Sequence, residues 1–219
     1  MDPSSSDGLP TPLIVPLGDR AVLVRFADTL SEEANRRTIA LAARLDDDPP
    51  EGTEEIAPGL VSVLLRTKPG TEFWRFSGEL RLRMGPTGES VGARQHEIAM
   101  RFDGEDIEAV AALCRMPLEQ FVDRHNAAPL RVLATGFAPG FVYCGFHRPE
   151  LVVPRRDSVR PMVPAGTVLF AAGQTAIAAT PIRTGWHVIG TTPFRNFEPA
   201  GKTPTALRSG DTVRFSVAT

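Results

Sequence analysis

The pattern of apolar and polar residues in the first half of the chain predicts alternating strands and helices. Ala21–Phe26 is an apolar run broken only by Arg25, as in a buried strand. Ser31 can cap a helix that opens with Glu32 and Glu33, where the helix dipole favours negative charge. Small or apolar residues of this helix share one face: Ala34, Thr38, Leu41, Ala42 and Leu45.

More elements follow before residue 136. Leu60–Leu65 reads as a second strand, and the alternation within Ile98–Phe102 predicts a half-exposed third one. Helical spacing over Ile107–Cys114 and Leu118–His125 predicts two short helices, after which Leu130–Thr135 returns to strand. The order strand, helix, strand, strand, helices, strand is typical of a split βαβ, or ferredoxin-like, layer of helices on a sheet.

The remaining sequence has a different character. Nine Gly and nine Pro punctuate the last 84 residues, and short apolar runs there are bounded by turn residues. Such a pattern predicts an all-β barrel or sandwich. The fold class is therefore α+β, with a flexible leader over 1–16, an α+β domain over 17–129 and a β-barrel domain over 130–219. The segment Lys68–Gly92 shows no clear period and receives no assignment.

Charge divides the chain into unlike parts. Residues 127–219 hold ten Lys and Arg against four Asp and Glu, whereas residues 1–126 hold fourteen against twenty-two. A basic field over the second part suits an anionic small molecule or an acidic partner. The basic residues are scattered and do not alternate with aromatics, so nucleic acid is not the expected ligand.

Cysteine content and the N-terminus indicate a soluble cytoplasmic protein. The two cysteines, Cys114 and Cys144, show no CxxC spacing, which argues against a disulfide scaffold and against a zinc site. The start of the chain lacks the features of a signal peptide, and no apolar stretch is long enough for a membrane span.

Candidate chemistry is densest in one aromatic loop between two glycines, Gly136 to Tyr143. Its glycines permit unusual backbone angles and close approach to a ligand, and its proline stiffens the turn. Three aromatics can wall a small pocket, and the tyrosine hydroxyl can orient a ligand. The candidate binding residues here are Phe137, Pro139, Gly140, Phe141 and Tyr143.

Three further segments complete the predicted site. Gln174 and Thr175 offer an amide and a hydroxyl between short strands, and a glycine corner follows at Gly185-Trp186-His187. Arg155 and Arg156 carry planar guanidinium groups that suit a carboxylate or phosphate. We predict that these segments converge on one cleft in the barrel, with an arginine at its mouth.

Structural alternatives stay open for each of these residues. Glycine and proline turns are mostly barrel corners, and Trp186 suits a core position as well as a ligand stack. His125 lies on an apolar helical face and is interpreted as a satisfied core histidine, whereas His187 favours neither role. No G-x-S-x-G elbow, H-E-x-x-H motif or Walker phosphate loop occurs, so no catalytic residue is assigned.

Several motifs together resemble a known family. In chain order they are Gly18–Val24, Gly136–Phe141, Val163–Thr167, Gly173–Thr175, Gly185–Pro193 and Ser209–Phe215. The chain resembles the family of 5-oxoprolinase B subunits (PxpB) and KipI, also called allophanate hydrolase subunit 1, a carboxyltransferase-domain family. The match covers nearly the whole chain and is weakest before Pro16 and between Lys68 and Gln95.

The resemblance implies a cyclophilin-like barrel after the α+β domain and ATP-dependent opening of 5-oxo-L-proline to L-glutamate. It also implies two partners: a homologue of the 5-oxoprolinase C subunit (allophanate hydrolase subunit 2, or KipA-like) and a LamB/YcsF-type A subunit. ATP would be shared with these partners, and the isolated chain would be inactive. Two rival functions remain: inhibition of a sensor histidine kinase, and action as an amidase or carboxyltransferase subunit on a urea-like substrate such as allophanate.

Overall fold

A computed structural model describes residues 11–84 and 93–218, which belong to two compact units, one ending at Gly92 and one beginning at Ala93. The first unit contains four strands and two helices among its described residues. They are β1 (Leu13–Leu17), β2 (Ala21–Arg25), α1 (Glu32–Asp47), β3 (Thr53–Pro58), β4 (Ser62–Thr67) and α2 (Phe73–Arg83).

The four strands form one antiparallel sheet in the order β1-β2-β4-β3. Since β2 and β3 both run antiparallel to β4, they are parallel to each other, and α1 connects them. This is a split βαβ arrangement with β4 inserted between the parallel strands. Helix α1 begins as predicted, because the Ser31 hydroxyl accepts a hydrogen bond from Ala34 N at 3.2 Å.

One apolar core holds this first unit together. Alternate residues of β2 and β4 face the buried sides of both helices, which removes their apolar surface from water. The main contributors are Val22, Val24, Leu41, Leu45, Val63, Leu65, Phe76 and Leu80. All five residues predicted for the inner face of α1 are buried.

Three elements of the first unit differ from the predictions. Strand β1 begins within the predicted leader and pairs with β2, so residues 13–16 belong to the sheet. Strand β3 was not predicted, and helix α2 lies in the unassigned segment Lys68–Gly92. Residues 1–10 of the predicted leader and 85–92 of the unassigned segment lie outside the described residues.

The second unit contains nine strands and two α-helices among its described residues, besides a short 3-10 helix at Pro149–Leu151. They are β5 (Gln95–Met100), α3 (Ile107–Leu113), α4 (Leu118–His125), β6 (Leu130–Thr135), β7 (Val142–Gly145), β8 (Arg160–Val163), β9 (Thr167–Ala171), β10 (Gln174–Ile177), β11 (Ile182–Thr184), β12 (His187–Thr191) and β13 (Thr212–Val217).

Seven of these strands form a curled sheet in the order β12-β9-β10-β7-β6-β13-β5. Among these described strands, β5 and β13 form the one parallel pair. The two edge strands of the sheet meet at an antiparallel bridge, in which Arg101 N donates to Thr191 O at 2.8 Å and Thr191 N donates to Arg101 O at 3.0 Å. Strands β8 and β11 form a separate two-stranded antiparallel sheet, which we call the β8–β11 hairpin although β9 and β10 lie between the two strands in the chain.

The curled sheet buries apolar residues on both faces. Val168 and Phe170 of β9 join a core with α3 and α4, and we call this side the helix face. Leu169 and Ala171 join a second core with Val163 of the β8–β11 hairpin, and we call this side the hairpin face. The strict alternation along β9 shows how one strand supplies both cores.

The division between the units differs from the predicted boundary at 129/130. Strand β5 pairs with β13, and residues of α3 and α4 pack in the core of the helix face, so residues 93–129 belong with the second unit. The strands that were expected to complete the first sheet, β5 and β6, instead lie in the curled sheet. The chain is thus mixed α/β with a curled sheet, while the names ferredoxin-like and cyclophilin-like stay predictions.

Both cysteines are free thiols. Burial raises the pKa of Cys144 to about 12 and also raises the pKa of Cys114. Both thiols are therefore protonated at neutral pH and unreactive as nucleophiles. None of the helices in the described ranges combines the length and apolar character of a membrane span.

Candidate functional site

Four aromatic side chains of the second unit form a continuous row on the hairpin face, which we call the aromatic row: Phe137, Phe141, Tyr143 and Trp186. The ring centroids of Phe137 and Phe141 lie 5.4 Å apart. Tyr143 follows, 4.8 Å from Phe141 and 5.9 Å from Trp186. All three contacts are edge-on, an arrangement that ring quadrupoles favour. Because Phe137 is 73% exposed and Phe141 is buried, the row leads inward from solvent.

The loop that begins the row is closed by its own backbone. Gly136 N donates to Phe141 O at 3.0 Å, and Phe141 N donates to Ala138 O at 3.0 Å. Gly140 has φ +68°, and a Cβ there would lie only 2.4 Å from Phe197 Cβ. Glycine is therefore required at this position, for backbone angle and for space.

Arg155 lies at the far end of the row. Its guanidinium carbon is 5.8 Å from the centroid of the Trp186 ring, within cation–π range. The side chain is exposed, and among the described residues it forms no ion pair. Burial raises the pKa of Tyr143, and the positive charge of Arg155 opposes that shift. The row thus ends at Arg155, a cation without an ion-pair partner among the described residues, and the phenol of Tyr143 nearby is neutral.

Gln174 lies on the same face as the row. Side chains alternate along β10, and Ala176, two residues further, is paired with Tyr143 and belongs to the core of the hairpin face. Gln174 is 6% exposed, and its Oε1 has no hydrogen-bond partner among the described residues. The amide is therefore a buried group whose acceptor is not satisfied by this part of the protein.

Thr175 and His187 lie on the opposite, helix face. Thr175 Oγ1 is 2.8 Å from Nε2 of His125 and 2.8 Å from Nε2 of His147. His187 pairs with Phe170 in the strand register, and its Nε2 lies 3.0 Å from Pro154 O. The structure thus separates these two predicted residues from the aromatic row, because neighbouring residues in a strand point to opposite faces.

Arg156 is engaged in an ion pair, unlike Arg155. Its guanidinium binds Asp106 Oδ1, which also accepts from Arg160 at 2.7 Å, while Asp106 Oδ2 accepts from Val188 N at 2.8 Å. Burial alone would raise the pKa of Asp106, but these hydrogen bonds and the two arginines hold it below its ordinary value. Arg156 therefore serves the structure and is not free to bind a ligand.

The two remaining predicted residues, Pro139 and Gly185, lie in loops. Pro139 is exposed at the turn that begins the row. Gly185 O accepts a hydrogen bond from Arg156 N at 2.8 Å, and Trp186 N donates to Thr184 Oγ1 at 3.0 Å. These bonds fix the segment around Arg155 against the corner that carries Trp186.

Comparison with known proteins places the chain in a family. A family model described as carboxyltransferase domain, subdomain C and D, matches residues 12–207. The chain belongs to this carboxyltransferase-domain family. A curated relative from Bacillus subtilis (strain 168), named as the B subunit of 5-oxoprolinase, is 32% identical over 215 residues, which cover 91% of this chain and 90% of the relative.

Comparison with solved structures extends these findings. The crystal structure of TTHA0988 in space group P212121 has a TM-score of 0.80 and 39% identity, and the match covers 91% of this chain but 40% of that one. This chain thus spans less than half the length of TTHA0988. Urea amidolyase of K. lactis has a TM-score of 0.77 at 16% identity, covering 99% of this chain and 15% of its own, which shows a shared fold.

The region matched by the carboxyltransferase-domain family also contains a pair of histidines, one buried (His125) and one half-buried (His147), that the motifs did not reveal. The rings of His125 and His147 lie 4.8 Å apart and share the Thr175 hydroxyl. Burial lowers the pKa of His125 to about 4, and burial with the neighbouring His125 lowers the pKa of His147 to about 2. Both imidazoles are neutral at physiological pH. His125 is buried and hydrogen-bonded, as expected for a satisfied core histidine. His147 follows Gly145-Phe146, and no local sequence pattern there predicted its contact with His125.

A cavity of about 440 Å³ lies in the first unit and contains no predicted site residue. Its lining includes Glu51, Lys68 and the first turn of α2, where Arg75 pairs with Glu51 at 2.6 Å. Its opposing charges partly neutralise each other, so it does not match the basic, aromatic site expected from the sequence. Within the described ranges, no group of three or more His, Cys, Asp or Glu side chains is arranged to hold a metal ion.

Proposed function

We propose that this chain is the B subunit of an ATP-dependent 5-oxoprolinase, which opens the lactam of 5-oxo-L-proline to give L-glutamate. In that reaction the ring C–N bond breaks, and water supplies the new carboxyl oxygen and the proton of the released amine. The curated relative from Bacillus subtilis, named as a 5-oxoprolinase B subunit and similar along nearly the full length of both chains, supports this proposal.

The single observation that carries the proposal is Arg155. It is an exposed cation without an ion pair among the described residues, beside Trp186 and on the same side as the buried amide of Gln174. A small ring with one carboxylate and one amide matches this set: Arg155 would take the carboxylate, Gln174 the amide, and the aromatic row would exclude water. The arrangement explains binding and orientation, and it assigns no catalytic nucleophile or base.

ATP belongs, in this proposal, to a site completed by partner subunits. Phosphoryl transfer requires several positive groups around the phosphates, whereas the aromatic row ends in one uncommitted guanidinium. The length of TTHA0988, of which this chain matches 40%, leaves room for a second component in that relative. We therefore infer a heteromer with a C-subunit homologue and a LamB/YcsF-type A subunit, in which this chain alone is inactive.

We also infer that the second unit is a cyclophilin-like barrel that follows a ferredoxin-like unit. The bridge between Arg101 and Thr191, which joins the edge strands of the curled sheet, supports the barrel. The split βαβ of β2, α1 and β3 supports the ferredoxin-like assignment.

Release of phosphate and of glutamate tests the proposed function. The chain would be co-expressed with its C and A subunits and supplied with ATP and 5-oxo-L-proline, allophanate or urea in separate reactions. We expect phosphate and glutamate in the 5-oxo-L-proline reaction from the complex, and neither product from the isolated chain. Turnover of allophanate or urea alone would instead favour the urea-like substrate, and inactivity on all three would reject the enzyme assignment.

A further inference from the structure

Gln174 Oε1 is a buried hydrogen-bond acceptor that the described part of the protein leaves without a donor. The side chain is 6% exposed, and no described group donates to Oε1. An unpaired buried acceptor is costly, and in native proteins such groups usually meet a ligand or an ordered water. The packing of the described residues thus gives no reason for a buried amide oxygen at this position.

The surroundings of Gln174 connect it with the aromatic row. It is paired with Ala171 on β9, and a Cβ at Gly145 on β7 would lie 3.4 Å from Gln174 Cγ. Neither of these two strand neighbours, Ala171 and Gly145, carries a polar side chain. Two residues along the strand, Ala176 is paired with Tyr143, whose ring belongs to the row.

We infer that Gln174 Oε1 accepts the ring N–H of a cyclic amide and thereby selects lactams over lactones and N-substituted rings. A carbonyl oxygen only accepts, so the ligand must supply a donor, and the lactam nitrogen carries one. Arg155 cannot make this distinction, because a guanidinium donates and would bind the carboxylate that all these rings share. This inference rests on the proposed function, since it specifies how that substrate is recognised.

Three ligands test the inference on the complex with the C and A subunits. They are 5-oxo-L-proline, its N-methyl derivative, and the corresponding γ-lactone acid; the last two keep the ring and carboxylate but lack the N–H. In the wild-type complex we expect each analogue to bind roughly 10- to 100-fold more weakly, because Oε1 would be left unpaired. In Gln174→Leu that difference should fall below about threefold.

Two control variants separate this role from others. Arg155→Gln should weaken binding of all three ligands by a similar factor, because all three retain the carboxylate. Gln174→Met provides a second apolar replacement of similar length and should behave like Gln174→Leu. An equal analogue penalty in the wild type and in both Gln174 variants would overturn the inference and would mean that a water, not a ring N–H, satisfies Oε1.

Thermal unfolding of the ligand-free chain gives an independent readout. If Gln174 is kept for a ligand, Gln174→Met should leave the melting temperature unchanged or raise it by about 2–4 °C. A clear fall in the melting temperature would show that Gln174 is structural and would overturn the inference whatever the substrate.

The ligand experiment also separates the inference from the proposed function. A complex that binds none of the three ligands would reject the proposed function and the lactam assignment together. Binding of all three ligands without discrimination for the N–H would reject only the lactam assignment.

Discussion

Gln174 and Thr175 are neighbours on β10, yet their side chains meet opposite conditions. On the helix face, the Thr175 hydroxyl lies between two imidazoles at 2.8 Å from each, so its hydrogen bonds are complete within the protein. On the hairpin face, Gln174 Oε1 has no partner, and Arg155 beyond it makes no ion pair, as far as the described residues extend. The satisfied face suits stability, and the unsatisfied face suits binding.

This contrast rests on a directional chain of hydrogen bonds on the helix face. His125 Nδ1 lies 2.8 Å from Asn126 Oδ1 and can donate to it, which leaves Nε2 as an acceptor. Thr175 can then donate to His125 and accept from His147. Protonation of His125 would place a proton on the nitrogen that accepts from Thr175, so His125 must be neutral for the chain of bonds to hold.

The largest expected effect is a loss of stability in mild acid. The pKa values of His125 and His147 are about 4 and about 2 in the folded chain, below the ordinary 6.5. Below about pH 6.5 the unfolded chain therefore binds more protons than the folded chain. As a result, the free energy of unfolding decreases as the pH is lowered through this range. Between about pH 6.5 and about pH 4.5 we expect a loss of about 4 kcal/mol for the two histidines together.

Denaturant unfolding at several pH values measures this loss. A double variant, His125→Gln with His147→Gln, lacks the titrating groups and should show a flatter dependence over the same pH range. Asp106 and Asp211, whose pKa values are lowered, add their own losses mainly below about pH 4. A wild-type chain equally stable at neutral pH and at the acid end of this range would contradict the account of the helix face.

The next effect concerns the threonine itself. Thr175→Val keeps the shape of the side chain but leaves Nε2 of both histidines without the shared hydroxyl. We expect a loss of about 3 kcal/mol, because two imidazole nitrogens lose their hydrogen-bond partner at about 1–3 kcal/mol each. Thermal unfolding should show a fall in melting temperature of about 6–12 °C. Thr175→Ser keeps the hydroxyl, and its free energy of unfolding should lie within about 1 kcal/mol of that of wild type. Equal stability of wild type and both variants would show that the Thr175 hydroxyl does not stabilise the two histidines.

Local patterns in the sequence predicted part of the fold well. The Ser31 cap and the buried face of α1 are local features, and both were predicted. Strand β3 was missed because its exposed Glu54 and Glu55 interrupt an apolar pattern, and α2 because no side chain caps its start at Glu72. The unit boundary was misplaced because the pairing of β5 with β13 joins segments far apart in the chain, which no local pattern records.

The candidate site was predicted in composition but not in arrangement. The aromatic rings of the loop from Gly136 to Tyr143 and of Trp186 lie in one row in the structure, while their role in binding stays a prediction. The alternation of strand residues was a signal available in the sequence, and it would have separated Gln174 from Thr175. The sequence could not show which of Arg155 and Arg156 is engaged in an ion pair, because the partner is Asp106, which only the fold brings next to Arg156.

The smallest expected effect sharpens the comparison on the hairpin face through these two adjacent arginines. Arg155→Gln removes a cation without an ion-pair partner in the described chain, so stability should change by no more than about 0.5 kcal/mol. Arg156→Gln removes one of two arginines from the buried Asp106 and should cost about 2 kcal/mol. Binding should follow the opposite order, because in the proposed site Arg155, and not Arg156, binds the ligand: 5-oxo-L-proline should bind the complex about tenfold more weakly in Arg155→Gln, or about 1.4 kcal/mol. Calorimetric titration measures this, and 2-pyrrolidone, the same ring without its carboxylate, should bind wild type and Arg155→Gln alike. If Arg156→Gln weakened binding more than Arg155→Gln while leaving stability unchanged, the roles of the two arginines would have to be exchanged.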